Sequence, residues 1–240
     1  MIKEVFAKGY EIVKSIEETQ MDSLEKASSI IAEALANENK FFVTGSGHSH
    51  TVTEEFYGRA GGLANVTPIL TTELTLTEHP TKSTHLERLT GYAAILVDLY
   101  DIKEGDVVLI ASNSGRNAYP IEMALESKKR GAKVIAITNV KHSNATSSRH
   151  ISGKHLLDIA DVVIDNCGEI GDSAIRIEGL AAAVCPTSSI ANAFIAQAIT
   201  VQVTKELMDR NIEPPIFISG NVEDQNNRND EYRRKYARLY

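Results

Sequence analysis

Asp106-Val107-Val108-Leu109-Ile110-Ala111, followed at once by Ser112-Asn113-Ser114-Gly115-Arg116-Asn117, is an unbroken apolar run that stops in small polar residues. An apolar run without alternation reads as a strand covered on both faces, as in a parallel sheet. Beyond the polar loop comes a helical pattern from Tyr119 to Arg130, with Gly131 as its stop, and then the strand Lys133-Val134-Ile135-Ala136-Ile137. The segment is therefore a βαβ unit, its loop set between a strand and a helix.

The same grammar occurs upstream. Phe41-Phe42-Val43-Thr44 leads into Gly45-Ser46-Gly47-His48-Ser49 and a helix beginning near His50. Val66-Thr67-Pro68-Ile69-Leu70 reads as a second strand, with Pro68 placing it at a sheet edge. Residues 71–82 look irregular, and a helix from about Thr84 to Leu99 returns the chain to the strand at Asp106. Downstream, a polar excursion from Asn139 to Lys154 precedes a fifth strand, Asp161-Val162-Val163-Ile164-Asp165. Pro186 is expected to open a long helix reaching Met208. That helix is apolar on most sides between Ile190 and Val203, which implies burial by the sheet or by another subunit. Two helices fill residues 1–38, and a charged tail, 221–240, places Tyr232, Tyr236 and Leu239 on one helical face. The expected fold is α/β, a three-layer αβα sandwich around a five-stranded, doubly wound parallel sheet, formed as one domain over residues 1–240. In such sheets ligands sit beyond the carboxyl ends of the strands, where both polar loops fall.

Composition narrows the ligand. The chain has 240 residues and a net charge of -7, so it offers no general attraction to nucleic acid or anionic lipid, and any anion must be held locally. No apolar stretch reaches membrane-spanning length and the N-terminus lacks a secretory core, so neither a membrane nor export is expected and the location is read as cytoplasmic. Cys167 and Cys185 fit no metal spacing and read as reduced thiols in or near the core.

Both loops are suited to an anion. Glycine permits a sharp turn and close approach, hydroxyls and main-chain N–H groups donate, and the positive end of the following helix favours a phosphate. The first loop imitates a dinucleotide fingerprint, but His50 occupies the third glycine position and no acidic residue closes a second strand at the needed distance. A phosphate-binding nucleotide loop of the Gly-Lys-Ser/Thr type is absent, so no cofactor is expected. The second loop sets Ser112, Ser114, Gly115 and the amide of Asn117 around the space of one phosphate; its alternative is a serine-rich cap for the helix near Ala118.

The two loops, their order and their strand–loop–helix setting resemble the sugar isomerase (SIS) domain over about Leu24 to Met208. That family includes phosphosugar isomerases, glucosamine-6-phosphate synthase, muramic acid 6-phosphate etherases and sugar-sensing regulators. The resemblance implies phosphate binding by Gly47, Ser49, Ser112, Asn113, Ser114, Arg116 and Asn117, and by Ser188 in a third cluster, Thr187-Ser188-Ser189. Asn117 stands where the family has threonine or serine, and Arg116 adds a charged group to the loop. Ser-Gly-Arg-Asn, with Ser148-Arg149-His150-x-Ser152-Gly153-Lys154, looks most like a branch of SIS proteins grouped with phosphosugar isomerases and related to sedoheptulose 7-phosphate isomerases.

Isomerising an aldose to a ketose needs a base between adjacent carbons and an acid at the oxygens. Glu55, His48 and Glu87 are the nominated groups, and Glu54, Glu78, His79 and His85 are further carboxylates and imidazoles near them. Glu55 and Arg59 are one helical turn apart, so a surface ion pair is the competing reading. Sedoheptulose 7-phosphate isomerases place a histidine and a glutamate six and ten positions after the loop serine, where this chain has Glu55 and Arg59; Gln197 and Gln202 stand where those enzymes present a further histidine. His150 and Lys154 are candidates for a lid. His48-x-His50 with Glu54 offers zinc-type ligands, but alternate residues of a tight turn need not converge, and no metal is assigned.

The expected function is an aldose–ketose isomerase of a sugar phosphate or similar anionic sugar. A sugar phosphate lyase or etherase, and a sensor without turnover, are the alternatives. The residues ahead of the first strand are too few and too acidic for a DNA-binding segment. The resemblance further implies a homodimer or homotetramer with shared sites, using the first helix and the helix after Pro186.

Overall fold

The inner strands of the central sheet divide their side chains between two cores with a period of two, which is what a sheet covered on both faces requires. Phe41, Val43, Val107, Leu109, Ile135 and Ile137 enter one core, while Phe42, Val108, Ile110, Val134 and Ala136 enter the other. The architecture comes from a computed structural model that describes residues 1–79, 81–221 and 227–236. In chain order the helices are α1 (Ile2–Thr19), α2 (Met21–Ala36), α3 (His50–Phe56), α4 (Lys82–Leu86), α5 (Tyr92–Leu99), α6 (Ala118–Lys129), α7 (Val140–Asn144), α8 (Ser188–Asp209) and α9 (Arg228–Tyr236). The strands are β1 (Phe41–Gly45), β2 (Val66–Ile69), β3 (Val107–Ala111), β4 (Lys133–Thr138), β5 (Val162–Asp165), β6 (Ser173–Ile175) and β7 (Val184–Pro186).

Strands β1 to β5 form one parallel sheet in the order β2-β1-β3-β4-β5. Helices α1, α2, α3 and α8 cover the first core, and α5 and α6 cover the second, giving three layers. The chain leaves β1 toward β2 on one side and returns at β3 on the other, so the winding reverses between β1 and β3. A crevice opens at such a reversal, beyond the carboxyl ends of the strands. Pro68 lies on β2, an edge strand, where a missing N–H costs no ladder hydrogen bond.

Two expectations need correction. The single helix expected over residues 84–99 is two helices, because Gly91 adopts φ 85° as the residue preceding α5, a left-handed conformation that no helix interior accepts. Its N–H donates to the Glu122 carboxylate at 2.7 Å, which fixes the break. Pro186 does not open the long helix either. It closes β7, which pairs antiparallel with β6, and α8 starts two residues later at Ser188.

The tail packs through α9, where Tyr232 meets Phe217 edge-on at 6.3 Å and Asn229 bonds both backbone groups of Ile218. Leu239, expected on the same face, lies outside the described residues. Among the described residues no helix is long and apolar enough to cross a membrane.

Candidate functional site

The crevice between β1 and β3 is a cleft of about 370 Å³. Ser46, Gly47, His48 and Ser49 line it from one loop, and Ser112, Asn113, Ser114 and Asn117 from the other. The first loop is compact because Gly45 allows it. A Cβ there would lie 2.4 Å from the carbonyl oxygen of Ser49, so only glycine lets the strand end touch the turn that follows. Residues Gly47–Ser49 form a single tight turn leading into α3, and Asn117 precedes α6 in an extended conformation, so two helix amino ends face the cleft.

The second loop is held from behind, which leaves its front open. The Asn113 carbonyl accepts from Asn139 N–H at 3.1 Å, and its side-chain oxygen accepts from Asn166 at 2.9 Å. Ser112 Oγ accepts the Gly115 N–H at 3.2 Å. Beneath the floor, Thr44 and the buried Tyr119 share a 2.6 Å hydrogen bond between their hydroxyls, and burial pushes the Tyr119 phenol upward, so it stays a neutral support.

Glu87 joins the two loops. Ser46 Oγ donates to one carboxylate oxygen at 2.8 Å, and Asn117 Nδ2 donates to the other at 2.7 Å. The residue sits at the break between α4 and α5, where the chain turns out of one helix and brings the carboxylate over the crevice. Burial pushes Glu87 above the usual 4.5 of a glutamate, against the Ser46 hydrogen bond and the positive charges of Arg88 and Arg149. A carboxylate so placed exchanges a proton more readily near neutral pH than one in water.

The far wall carries His142, with Arg116 and Arg149 behind it. His142 lines the cleft and its Nδ1 accepts the Gly171 N–H at 3.2 Å; burial and the nearby Arg116 charge push this imidazole below its usual 6.5, against Asp172. Arg149 Nη1 donates to Asn117 Oδ1 at 3.2 Å, so the Asn117 amide links Glu87 on one side to Arg149 on the other.

The nominated residues do not all gather here. Glu87, His48 and the loop residues Gly47, Ser49, Ser112, Asn113, Ser114 and Asn117 line the cleft; Glu55, Arg116 and Ser188 do not. Glu55 pairs with Arg59 and accepts from Gln197 at 3.0 Å, facing α8 rather than the cleft. The Ser188 hydroxyl and N–H both donate to the Asp172 carboxylate at 2.8 Å, an arrangement that ties the β6–β7 hairpin to the start of α8. The Asn117 amide, read from the sequence as a phosphate donor, gives a hydrogen to Glu87 instead. His50 is turned inward, with Nδ1 2.5 Å from the Gly47 carbonyl oxygen, and Nε2 is 3.4 Å from Glu54. Among the described residues no three His, Cys, Asp or Glu side chains come together as metal ligands would. His150 lies against Glu122 at 3.5 Å, holding the excursion to α6.

Ser46, Leu76, Ser83, Thr84 and His142 also line the cleft and are absent from the residues nominated by sequence. Ser46 has a signal, since it stands within the first loop. His142 has a weaker one, the Asn139 cap that accepts its N–H at 2.8 Å and starts α7.

Comparison with known proteins gives this geometry a context. The sequence profile of the SIS domain matches residues 5–139. A UPF0309 protein of Halalkalibacterium halodurans is 44% identical over 95% of this chain and 94% of its own length. One from Thermoanaerobacter pseudethanolicus is 41% identical over 99% and 98%. In fold the chain is similar to a phosphoheptose isomerase from Neisseria gonorrhoeae, with a TM-score of 0.52 and 16% identity, covering 85% of this chain and 96% of that one. A phosphoheptose isomerase from Francisella tularensis superposes with a TM-score of 0.53 and 16% identity, again covering 85% and 96%.

Proposed function

The chain belongs to the SIS domain family, alongside the UPF0309 proteins, and from that premise we propose that it is an aldose–ketose isomerase of a sugar phosphate bound between its two loops. The phosphate rests on Ser112, Ser114, Ser49 and the amino ends of α3 and α6, and the sugar extends toward Glu87 and His48. Glu87 takes the proton from the carbon beside the carbonyl, the electron pair of that C–H bond becomes the double bond of an enediol, and the same carboxyl group returns a proton to the neighbouring carbon. His48 moves the proton between the two oxygens. The observation that carries this reading is the burial of Glu87 between Ser46 and Asn117, its carboxylate bridging both loops.

The test is turnover of pentose, hexose and heptose phosphates by purified protein. Interconversion of an aldose–ketose pair, lost in Glu87→Gln, supports it; inactivity across the panel overturns it. Release of lactate or ammonia from a sugar phosphate would identify a lyase or etherase instead. A sensor without turnover is the second reading, favoured by the Glu55–Arg59 pair that occupies the positions the resemblance assigns to catalysis.

The same premise extends to assembly. Phe6 and Tyr10 of α1 and Phe194 and Val201 of α8 are between 55% and 72% exposed, an apolar surface suited to a second copy. We expect a homodimer or homotetramer, and a monomer by light scattering would overturn it.

A further inference from the structure

We infer that the rim of the cleft holds a second anion subsite, formed by Arg116 and Arg149, and that the sugar phosphate bound here carries a second oxyanion, a carboxylate or another phosphate. The inference rests on the phosphosugar reading and adds to it the charge of the substrate.

With 32 acidic residues against 25 basic ones, many cations of this chain find a carboxylate. Lys8, Arg59, Lys128, Arg130 and Arg210 each meet a carboxylate. Arg116 and Arg149 are among those that do not, since among the described residues no carboxylate lies within ion-pair distance of either, and they are set apart by adjoining residues that line the cleft. Arg116 Nε is moreover buried with no hydrogen-bond partner. A buried guanidinium nitrogen without an acceptor is costly, and the cost is relieved when an anion supplies one.

The two arginines are held together by the backbone. Arg149 N–H donates to the Arg116 carbonyl at 2.8 Å, and just past the excursion Leu156 N–H donates to the Gly115 carbonyl at 2.8 Å, with His150 lying against Glu122 between them. The excursion therefore cannot swing the like charges apart without breaking this ladder. The Arg116 charge acts on Arg149, so the two guanidinium groups are near enough to feel one another, and such a pair suits the paired oxygens of a carboxylate or phosphate.

Their position separates them from the serine cradle. Neither arginine lines the cleft, yet each adjoins a residue that does: Arg149 bonds Asn117, and the Arg116 charge bears on His142. A phosphate among Ser112, Ser114 and Ser49 thus leaves the arginine pair unengaged, and a second oxyanion on the same ligand would occupy it.

The experiment is calorimetric titration of the full chain with fructose 6-phosphate, fructose 1,6-bisphosphate and 6-phosphogluconate, on wild type, Arg149→Gln, Arg149→Lys and Ser114→Ala. At least one doubly anionic ligand is expected to bind about tenfold more tightly than fructose 6-phosphate, the worth of one net charge-assisted hydrogen bond. Which of the two gains separates a second phosphate from a carboxylate. The ratio should fall to about two or less in Arg149→Gln, survive in part in Arg149→Lys, and persist in Ser114→Ala while all affinities drop together. A ratio near one in wild type, or one unmoved by Arg149→Gln in protein that melts normally, overturns the second subsite alone. Failure of all three ligands to bind wild type overturns this inference, and the phosphosugar reading falls with it where the pentose, hexose and heptose phosphates also fail to turn over.

Discussion

Helix α3 and the turn between α4 and α5 both overhang the carboxyl edge of the sheet, and each presents a glutamate, in opposite surroundings. Glu55 on α3 is half-exposed and saturated by its neighbours, with Arg59 on one side and Gln197 on the other. Glu87 at the turn is half-buried, held by one neutral donor from each ligand loop, and pushed toward protonation. The Glu55 carboxylate is occupied by a guanidinium and an amide and faces α8, away from the cleft. Neutral donors beside a partly buried carboxylate hold it in place while burial keeps its proton affinity high. Chemical aptitude here follows what surrounds the residue rather than the element that carries it.

The contrast is broken or sharpened most strongly by exchanging each glutamate for its amide. Glu87→Gln keeps the hydrogen-bonding shape and removes the base, and is expected to lower kcat by about 100-fold or more. Glu55→Gln is expected to cost about threefold at most, since its position on an exposed ion pair gives it no reacting atom to touch. Steady-state rates on the best sugar phosphate decide it, and equal losses would erase the distinction between the two regions.

The next effect is structural. Gly45→Ala drives a Cβ into the Ser49 carbonyl oxygen, and the atoms it meets are all backbone of the Ser49–His50 peptide, which leaves little room for relaxation. Overpacking of this kind costs about 3 kcal/mol. Because Ser46 follows directly and anchors Glu87, the variant should lose activity out of proportion to the amount of folded protein. Thermal melts with activity per folded molecule check this.

Much of this frame is legible in sequence. Val107 to Ala111 and Phe41 to Thr44 lack alternation because both sheet faces are covered, and the loops that follow them announce the crevice. The turn carrying Glu87 is less legible. Apolar spacing continues through residues 84–99, and only Gly91 marks the break, which becomes necessary once Glu122 of α6 takes its N–H. The partners of Glu87 lie 41 residues before it and 30 after it, so no local pattern could assemble them. The β6–β7 hairpin is hidden for a related reason: its strands are three residues each, too short for a periodicity to register.

A smaller change tests the electrostatics of the turn. Ser46→Ala removes the hydroxyl whose hydrogen bond holds Glu87 down, so its proton affinity should rise further and the acidic limb of the rate profile should move to higher pH. Stability gives the same sign. A glutamate whose folded value is raised contributes stability that is fully present below the usual 4.5 and is lost as pH rises through the folded value. Wild type should therefore lose a component of stability over that window which Glu87→Gln lacks, as urea titrations across pH would reveal. A window identical in both proteins would mean that Glu87 is not held in a protonation-favouring site.

The smallest effect belongs to the partner of Glu55. Arg59→Gln breaks the one-turn ion pair on α3, whose side chains are 45% and 32% exposed. Water replaces the lost contact on Arg59's side, and Gln197 still donates to the Glu55 carboxylate at 3.0 Å. An exposed pair of this kind contributes about 0.5 kcal/mol or less. Urea midpoints should accordingly shift only slightly, the shift should shrink further at high salt, and kcat should follow wild type. A large loss of turnover in Arg59→Gln, with the midpoint unmoved, would mean that α3 reaches the reacting carbons after all, and would transfer the catalytic assignment from the turn to the helix.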